Sequence, residues 1–202
     1  MDKTSYALGM SIAHNMIQSG VRDLVLDDFT AAIQDAFKGK EPAVPFEEAG
    51  EILNKYFEEA EKAKAAEAAE IAGKMKEEGE AFLAANAKKE GVVTLKSGLQ
   101  YKVLKEGTGK KATKNSRVKC HYEGTFINGQ KFDSSYDRNE PAVFGVTQVI
   151  AGWTEALQLM AEGSAWELYI PYQLAYGERA TGKDIKPYSA LIFTVELKDI
   201  EK

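Results

Sequence analysis

One cysteine, two histidines and five prolines are all that this chain of 202 residues has of those types. With Cys120 alone, no intramolecular disulfide can form, and stability has to come from packing. His14 and His121, even together with that thiol, give no metal-ligand spacing and no Cys-His or Ser-His-Asp set. No metal or cofactor is expected, and the chemistry does not begin with a nucleophile. Long apolar runs are missing as well: nothing approaches the roughly 18 consecutive residues needed to cross a bilayer, so no membrane partner is expected. The first five residues, Met1 to Ser5, lack the basic-then-apolar layout of a secretion signal. The reading is therefore a cytoplasmic chain; the alternative is a periplasmic or outer-membrane-associated one whose export signal has been removed. An excess of positive charge is absent too. Residues 1–91 hold 11 Lys and Arg against 18 Asp and Glu, and residues 92–202 hold 15 against 13, about −7 and +2 within a net charge of −5. Neither half is built for nucleic acid.

What remains is a globular composition, 44% hydrophobic and 28% charged, long enough for one or two domains. The first 40 residues predict two short helices, with Tyr6, Met10, Ala13 and Ile17 at helical spacing and then Phe29, Ile33 and Phe37. Gly20 and Gly39 are placed to close them. Neither helix can bury its stripe alone, so the pair must pack on the next helix or on a second copy of the chain. From Pro45 a helical pattern runs to about Ala87 without an internal proline, a rod of roughly 65 Å at 1.5 Å per residue. Phe46, Ala49, Leu53, Tyr56 and Phe57 give its start an apolar face. From Glu58 to Glu80 the only large apolar residues among alanine, glutamate and lysine are Ile71 and Met75, which predicts a solvated middle with Gly73 and Gly79 as weak points.

After Gly91 the pattern changes to short runs of β-formers between turn residues: 99–104, 118–126, 165–171 and 191–200. Val118, Cys120 and Tyr122 alternate with Lys119, His121 and Glu123, which places the cysteine inward and the histidine outward. Residues 149–160 place Trp153, Leu157 and Met160 at helical spacing. The fold class read from this is α+β: a C-terminal antiparallel β-sheet wrapped on one short α-helix, joined by a long α-helix to a small all-α N-terminal module. The expected domains are 1–44, a helical dimerisation module; 45–90, the connecting helix; and 91–202, the sheet domain.

The sheet domain is rich in aromatic side chains, the usual lining of a site for a small ligand or a side chain. Its segments 118–124 (VKCHYEG), 131–139 (KFDSSYDRN), 148–160 (QVIAGWTEALQLM), 167–178 (ELYIPYQLAYGE) and 191–197 (LIFTVEL) resemble the FKBP-type peptidyl-prolyl cis-trans isomerases in order and spacing. The likeness is strongest to the bacterial branch that includes the macrophage infectivity potentiators, whose helical dimerisation region residues 1–90 resemble in layout.

The resemblance implies a proline pocket floored by Trp153 and walled by Tyr122, Phe132, Phe144, Val149, Ile150 and Phe193. Asp133 and Tyr176 form its polar rim. Asp133, Tyr122 and Tyr176 take the catalytic roles, with the Tyr176 hydroxyl and the Ile150 N–H as donors to carbonyls of the bound chain. A loop over 180–188 overhangs the pocket and adds Ile185 and Tyr188 to the substrate-binding set. The chain departs from the family in that loop, where Lys186 and Tyr188 replace a proline and an asparagine common in other members, and at Ala142, where some members carry phenylalanine. Taken alone, Asp133 reads as a turn former; within the motif it implies an electrostatic role near the twisting carbonyl. The implied partners are unfolded or proline-containing polypeptides, a second copy through residues 1–57, and macrolide inhibitors. Two other functions compete: a chaperone or binding module that holds proline segments without isomerising them, and a spacer with a degenerate end domain.

Overall fold

The computed structural model describes residues 1–21, 23–182 and 184–201. They fall into two compact units, Met1–Ala68 and Ala69–Lys202.

The first unit holds helices α1 (Lys3–Gln18), α2 (Leu26–Phe37) and the start of α3 (Phe46–Asn86). Asp2 caps α1 by accepting the Ser5 N–H at 2.7 Å. Gly20 (φ +91°) and Gly39 (φ +65°) turn the chain after α1 and α2 in the left-handed conformation that glycine enters without strain. Neither α1 nor α2 has a buried residue. Tyr6, Leu8, Met10 and Ile17 stand exposed, and Met16, Leu24, Phe29, Ile52, Leu53 and Phe57 line an open apolar hollow of about 480 Å³.

In the second unit, the later turns of α3 meet seven strands: β1 (Val92–Thr94), β2 (Gln100–Lys105), β3 (Arg117–Phe126), β4 (Lys131–Ser134), β5 (Ala142–Gly145), β6 (Ala165–Ile170) and β7 (Leu191–Glu201). The sheet is antiparallel in the order β1-β2-β6-β7-β3-β4, with β5 also paired to β3. Helix α4 (Ala151–Leu159) packs on it. A Cβ on Gly152 would fall 2.6 Å from Ile170 Cγ2, so the missing side chain is what lets α4 sit this close to β6. The core is Val118, Cys120, Leu157, Met160, Leu168, Ile170, Val195 and Leu197, all without exposure. Burial pushes the Cys120 thiol up to about 12, so it is inert packing at neutral pH. His121 accordingly faces away, stacked on Tyr136 at 4.5 Å with Nδ1 3.0 Å from Ser135 Oγ.

Two expectations change. The strands β1, β4 and β5 are three or four residues long, too short for a period to emerge from the sequence. And α3, exposed through residues 61–70, is buried at Gly79, within the stretch expected to be solvated, and at Asn86 near its end, where Asn86 Nδ2 donates to Gln100 Oε1 (3.0 Å) and Gln100 Nε2 donates to Leu83 O (2.9 Å). The division into two compact units falls inside α3. Gly79 is a packing contact, where a weak point was expected.

Candidate active site

A cleft of about 450 Å³ opens above α4, lined by Tyr122, Phe132, Asp133, Phe144, Gln148, Val149, Ile150, Trp153, Tyr176 and Phe193. Every sequence-predicted site residue except Ile185 and Tyr188 is there. Trp153, in the first turn of α4, is 4% exposed. Three rings stand on edge around it: Tyr122 at 5.4 Å and 88°, Phe193 at 5.3 Å and 88°, and Phe144 at 5.4 Å and 69°. Edge-to-face contact of this kind is favourable in its own right, and here it makes the indole a floor with the other rings as walls. Phe132 continues the wall, perpendicular to Phe193 at 5.6 Å.

The rim is a tight polar group. The Tyr122 hydroxyl donates to Asp133 Oδ2 at 2.6 Å, Arg138 Nη1 donates to Asp133 Oδ1 at 2.6 Å, and Arg138 Nη2 donates to the Tyr122 oxygen at 2.8 Å. Burial works to raise the Asp133 carboxyl, but the hydrogen bonds from Tyr122 and Arg138 and the guanidinium charge outweigh it and hold the group below the usual carboxylate range. Burial, then the bond to Asp133, raises the Tyr122 phenol; burial, then the Asp133 charge, raises that of Tyr176. At neutral pH the rim is therefore one anion, one guanidinium and two protonated phenols. The Tyr122 proton is committed to Asp133, which leaves Tyr176, 39% exposed, as the phenol that can donate to a bound chain. Ile150 precedes α4 as its N-cap, and no acceptor for its N–H is found among the described residues.

Arg138 was not anticipated. Its signal lay in 131–139, five residues beyond Asp133, but a turn is needed to fold it back. The turn over 136–139, closed by the Asn139 N–H donating to Tyr136 O at 2.9 Å, folds it back, and Asn139 leaves that turn with φ +52°. Ser135, fully buried, fixes the turn to β3 by accepting the Tyr122 N–H at 2.7 Å and donating to Tyr122 O at 3.2 Å.

Ile185 and Tyr188 are not among the residues lining the cleft. Ile185 pairs with Thr181 in a narrow turn of its own, part of a loop whose Lys183 lies outside the described residues. Tyr188 has φ +58°, and its ring stands against that of Tyr172, the centroids 4.9 Å apart. Among the described residues no group of three or more His, Cys, Asp and Glu could hold a metal ion. No helix among them is long and apolar enough to cross a membrane.

The chain is similar to known proteins. The family described as FKBP-type peptidyl-prolyl cis-trans isomerase matches residues 108–198, and the domain amino terminal to FKBP-type peptidyl-prolyl isomerase matches residues 1–103. The chain is 43% identical to the FKBP-type 22 kDa peptidyl-prolyl cis-trans isomerase of Escherichia coli, over 98% of this chain and 94% of that protein. It is 41% identical to the outer membrane protein MIP of Legionella longbeachae, over 100% and 86%. The crystal structure of FkpA from Escherichia coli matches with a TM-score of 0.78 and 34% identity, over 98% of this chain and 95% of that one.

Proposed function

The chain belongs to the FKBP-type peptidyl-prolyl cis-trans isomerases, and from that premise we propose that the cleft over Trp153 receives the prolyl ring of an unfolded or partly folded polypeptide and lets the preceding amide twist. The observation that carries this is the perpendicular set of rings around an indole that is buried yet open to the cleft. Amide rotation has a barrier of about 18–20 kcal/mol, because resonance gives the C–N bond double-bond character. Water favours the charge-separated planar form, so stripping water from the bond against Trp153 and Phe132 lowers the barrier without breaking a bond. Donation from Tyr176 and the Ile150 N–H to flanking carbonyls holds the chain while the amide turns. An acceleration of ~10³ to 10⁶ needs about 4–8 kcal/mol of preferential binding to the twisted form.

In this reading Asp133 fixes Tyr122 and Arg138 and sets the field near the twisting carbonyl. Asp133→Ala is expected to lower kcat/KM on an Ala-Leu-Pro-Phe-type peptide about tenfold while the circular dichroism spectrum persists, the scale of one hydrogen bond to a charged group. Unchanged turnover would make the carboxylate structural. The folded-state carboxyl pKa is depressed, so its contribution is present above the unfolded value near 4 and lost only as pH falls through the lower folded one. Both phenols are raised, so they stay protonated above pH 7. Turnover by a protease-free assay is accordingly expected to stay flat from about pH 5 to about pH 9.

Residues 1–57 are proposed as the dimer contact. The exposed stripe of α1 and the open hollow beside Phe29 and Leu53 are apolar surface that a second copy would cover. Sedimentation at micromolar concentration should give twice 22.2 kDa; the mass of one chain would remove the dimer. Two clefts in one particle would hold a client at raised effective concentration, which supports an accompanying chaperone activity. A pure holding function is the second reading, separated from the first by running the peptide assay beside an aggregation-suppression test. Macrolide inhibitors are proposed to enter the same apolar cleft, and competition in that assay reads it. The cytoplasmic expectation finds no support in these relatives, one of which is named an outer membrane protein. An exported chain, periplasmic or held at the outer membrane, is the compartment we propose, and cell fractionation tests it.

A further inference from the structure

Glycine within a helix is a costly choice beside alanine, because it gives up more backbone freedom on folding. The later half of α3 has two, and their surroundings differ. A Cβ on Gly73 would meet nothing within 4 Å. One on Gly79 would lie 3.1 Å from Ala190 Cβ, 3.6 Å from Ala190 N and 3.8 Å from Tyr188 O. The helix backbone thus lies directly against residues 188–190, at a distance that leaves little room for a side chain.

Those residues cannot easily give way. Ala190 is 6% exposed, and Leu191 beside it is paired to both Ile170 and Phe126 in the sheet. Tyr188 is held in the left-handed conformation with its N–H on Gly177 O at 3.0 Å, and Ser189 Oγ donates to Lys186 O at 2.8 Å. Nor can the helix lift away without loss. Phe82 packs on Tyr169 at 6.1 Å, and the Asn86–Gln100–Leu83 bonds pin its last turns.

Both ends of this segment lead into the cleft. Gly177, the acceptor for Tyr188, directly follows Tyr176, and Ala190 stands three residues before Phe193. We propose that Gly79 is a positioning residue for the isomerase: the close approach it permits seats residues 188–190 and, through them, Tyr176 and Phe193, so that α3 sets how firmly a proline-containing chain is held. This rests on the reading of the cleft given above. Gly79 touches no substrate and no reacting atom. Its influence therefore falls on binding of the client more than on the twist itself.

Four variants of the full chain test this: Gly79→Ala, Gly79→Leu, Gly73→Ala, and Gly79→Ala combined with Ala190→Gly. KM and kcat are read on a proline tetrapeptide, and the affinity for the same peptide is read by tryptophan fluorescence. Because small misplacements in a site cost large factors, Gly79→Ala should raise KM about threefold and Gly79→Leu about tenfold, with kcat within about twofold. Gly73→Ala should match the unsubstituted chain, and Ala190→Gly should restore KM to the Gly79→Ala chain by reopening the contact. Alanine is the better helix former, so a loss in Gly79→Ala cannot come from a weaker helix. Unchanged KM and affinity in Gly79→Ala and Gly79→Leu would overturn the proposal. So would a loss that Gly73→Ala shares and Ala190→Gly fails to reverse. Should Gly79→Leu not fold, the alanine variants decide. Should the unsubstituted chain not turn over at all, the catalytic reading falls, and the fluorescence affinities still decide whether Gly79 positions the cleft.

Discussion

Trp153→Ala is expected to lower kcat/KM by about 100-fold or more and to cost about 3–5 kcal/mol of stability, the range for removing a large buried aromatic side chain. Two losses coincide. The indole is the floor on which a prolyl ring would rest, and it is the common partner of Tyr122, Phe144 and Phe193, each 5.3 to 5.4 Å away. Each such ring pair is worth about 0.5–1.5 kcal/mol beyond the area buried, so the walls lose their alignment together with the floor. Trp153→Phe separates the two effects. It keeps an aromatic floor of smaller area and should hold most of the stability while losing roughly tenfold in turnover, as expected for a shallower but intact hollow. Chemical denaturation gives the first quantity and the peptide assay the second. A Trp153→Ala chain that is folded by circular dichroism and isomerises at the unsubstituted rate would mean that the prolyl ring is held somewhere else.

How far the sequence foretold this site depends on which contacts are local. The alternation of Val118, Cys120 and Tyr122 placed β3 and its inward face within one residue of the observed strand, because one side of that strand is buried and the period of two survives in the residue types. The helical spacing of Trp153, Leu157 and Met160 placed α4 within two residues of its observed ends. Ring positions around Trp153 followed from the motif resemblance. No composition or period could have ordered the strands around it. Arg138 shows the first limit: its hydrogen bonds to Asp133 and Tyr122 form across a turn over 136–139 that no period in the residue types marks. Tyr188 shows the second. Its place in the motif put it over the pocket, whereas here its ring stands against Tyr172 and is not among the residues lining the cleft. Gly79 shows the third, since a glycine among alanine and glutamate reads as a weak point until the residue it packs against, more than 100 positions later, is in view.

Gly124 joins these levels, and its substitution carries the other large expected effect. On β3 the inward series Val118, Cys120, Tyr122 continues to Gly124 and Phe126, so a side chain is missing between two aromatic rings. In the sheet Gly124 sits opposite both Asp133 and Phe193. A Cβ there would fall 2.7 Å from Phe132 Cζ, 2.7 Å from Phe193 Cε1 and 3.0 Å from Phe132 Cε2, inside any permitted contact. Phe126 stands behind Phe132 at 4.9 Å and Trp153 is 5.3 Å from Phe193, so a displaced ring has packed neighbours on its far side and open space chiefly over the cleft. Gly124→Ala is thus expected to cost about 1–3 kcal/mol through overpacking and, by driving wall rings into the space a prolyl ring needs, to lower kcat/KM about 100-fold. Adding Phe132→Leu to Gly124→Ala shortens the obstructed side chain and should recover part of the stability, with less recovery of turnover because the wall is then aliphatic. If Gly124→Ala turns over within twofold of the unsubstituted chain, the rings of Phe132 and Phe193 do not shape the hollow in which the amide twists.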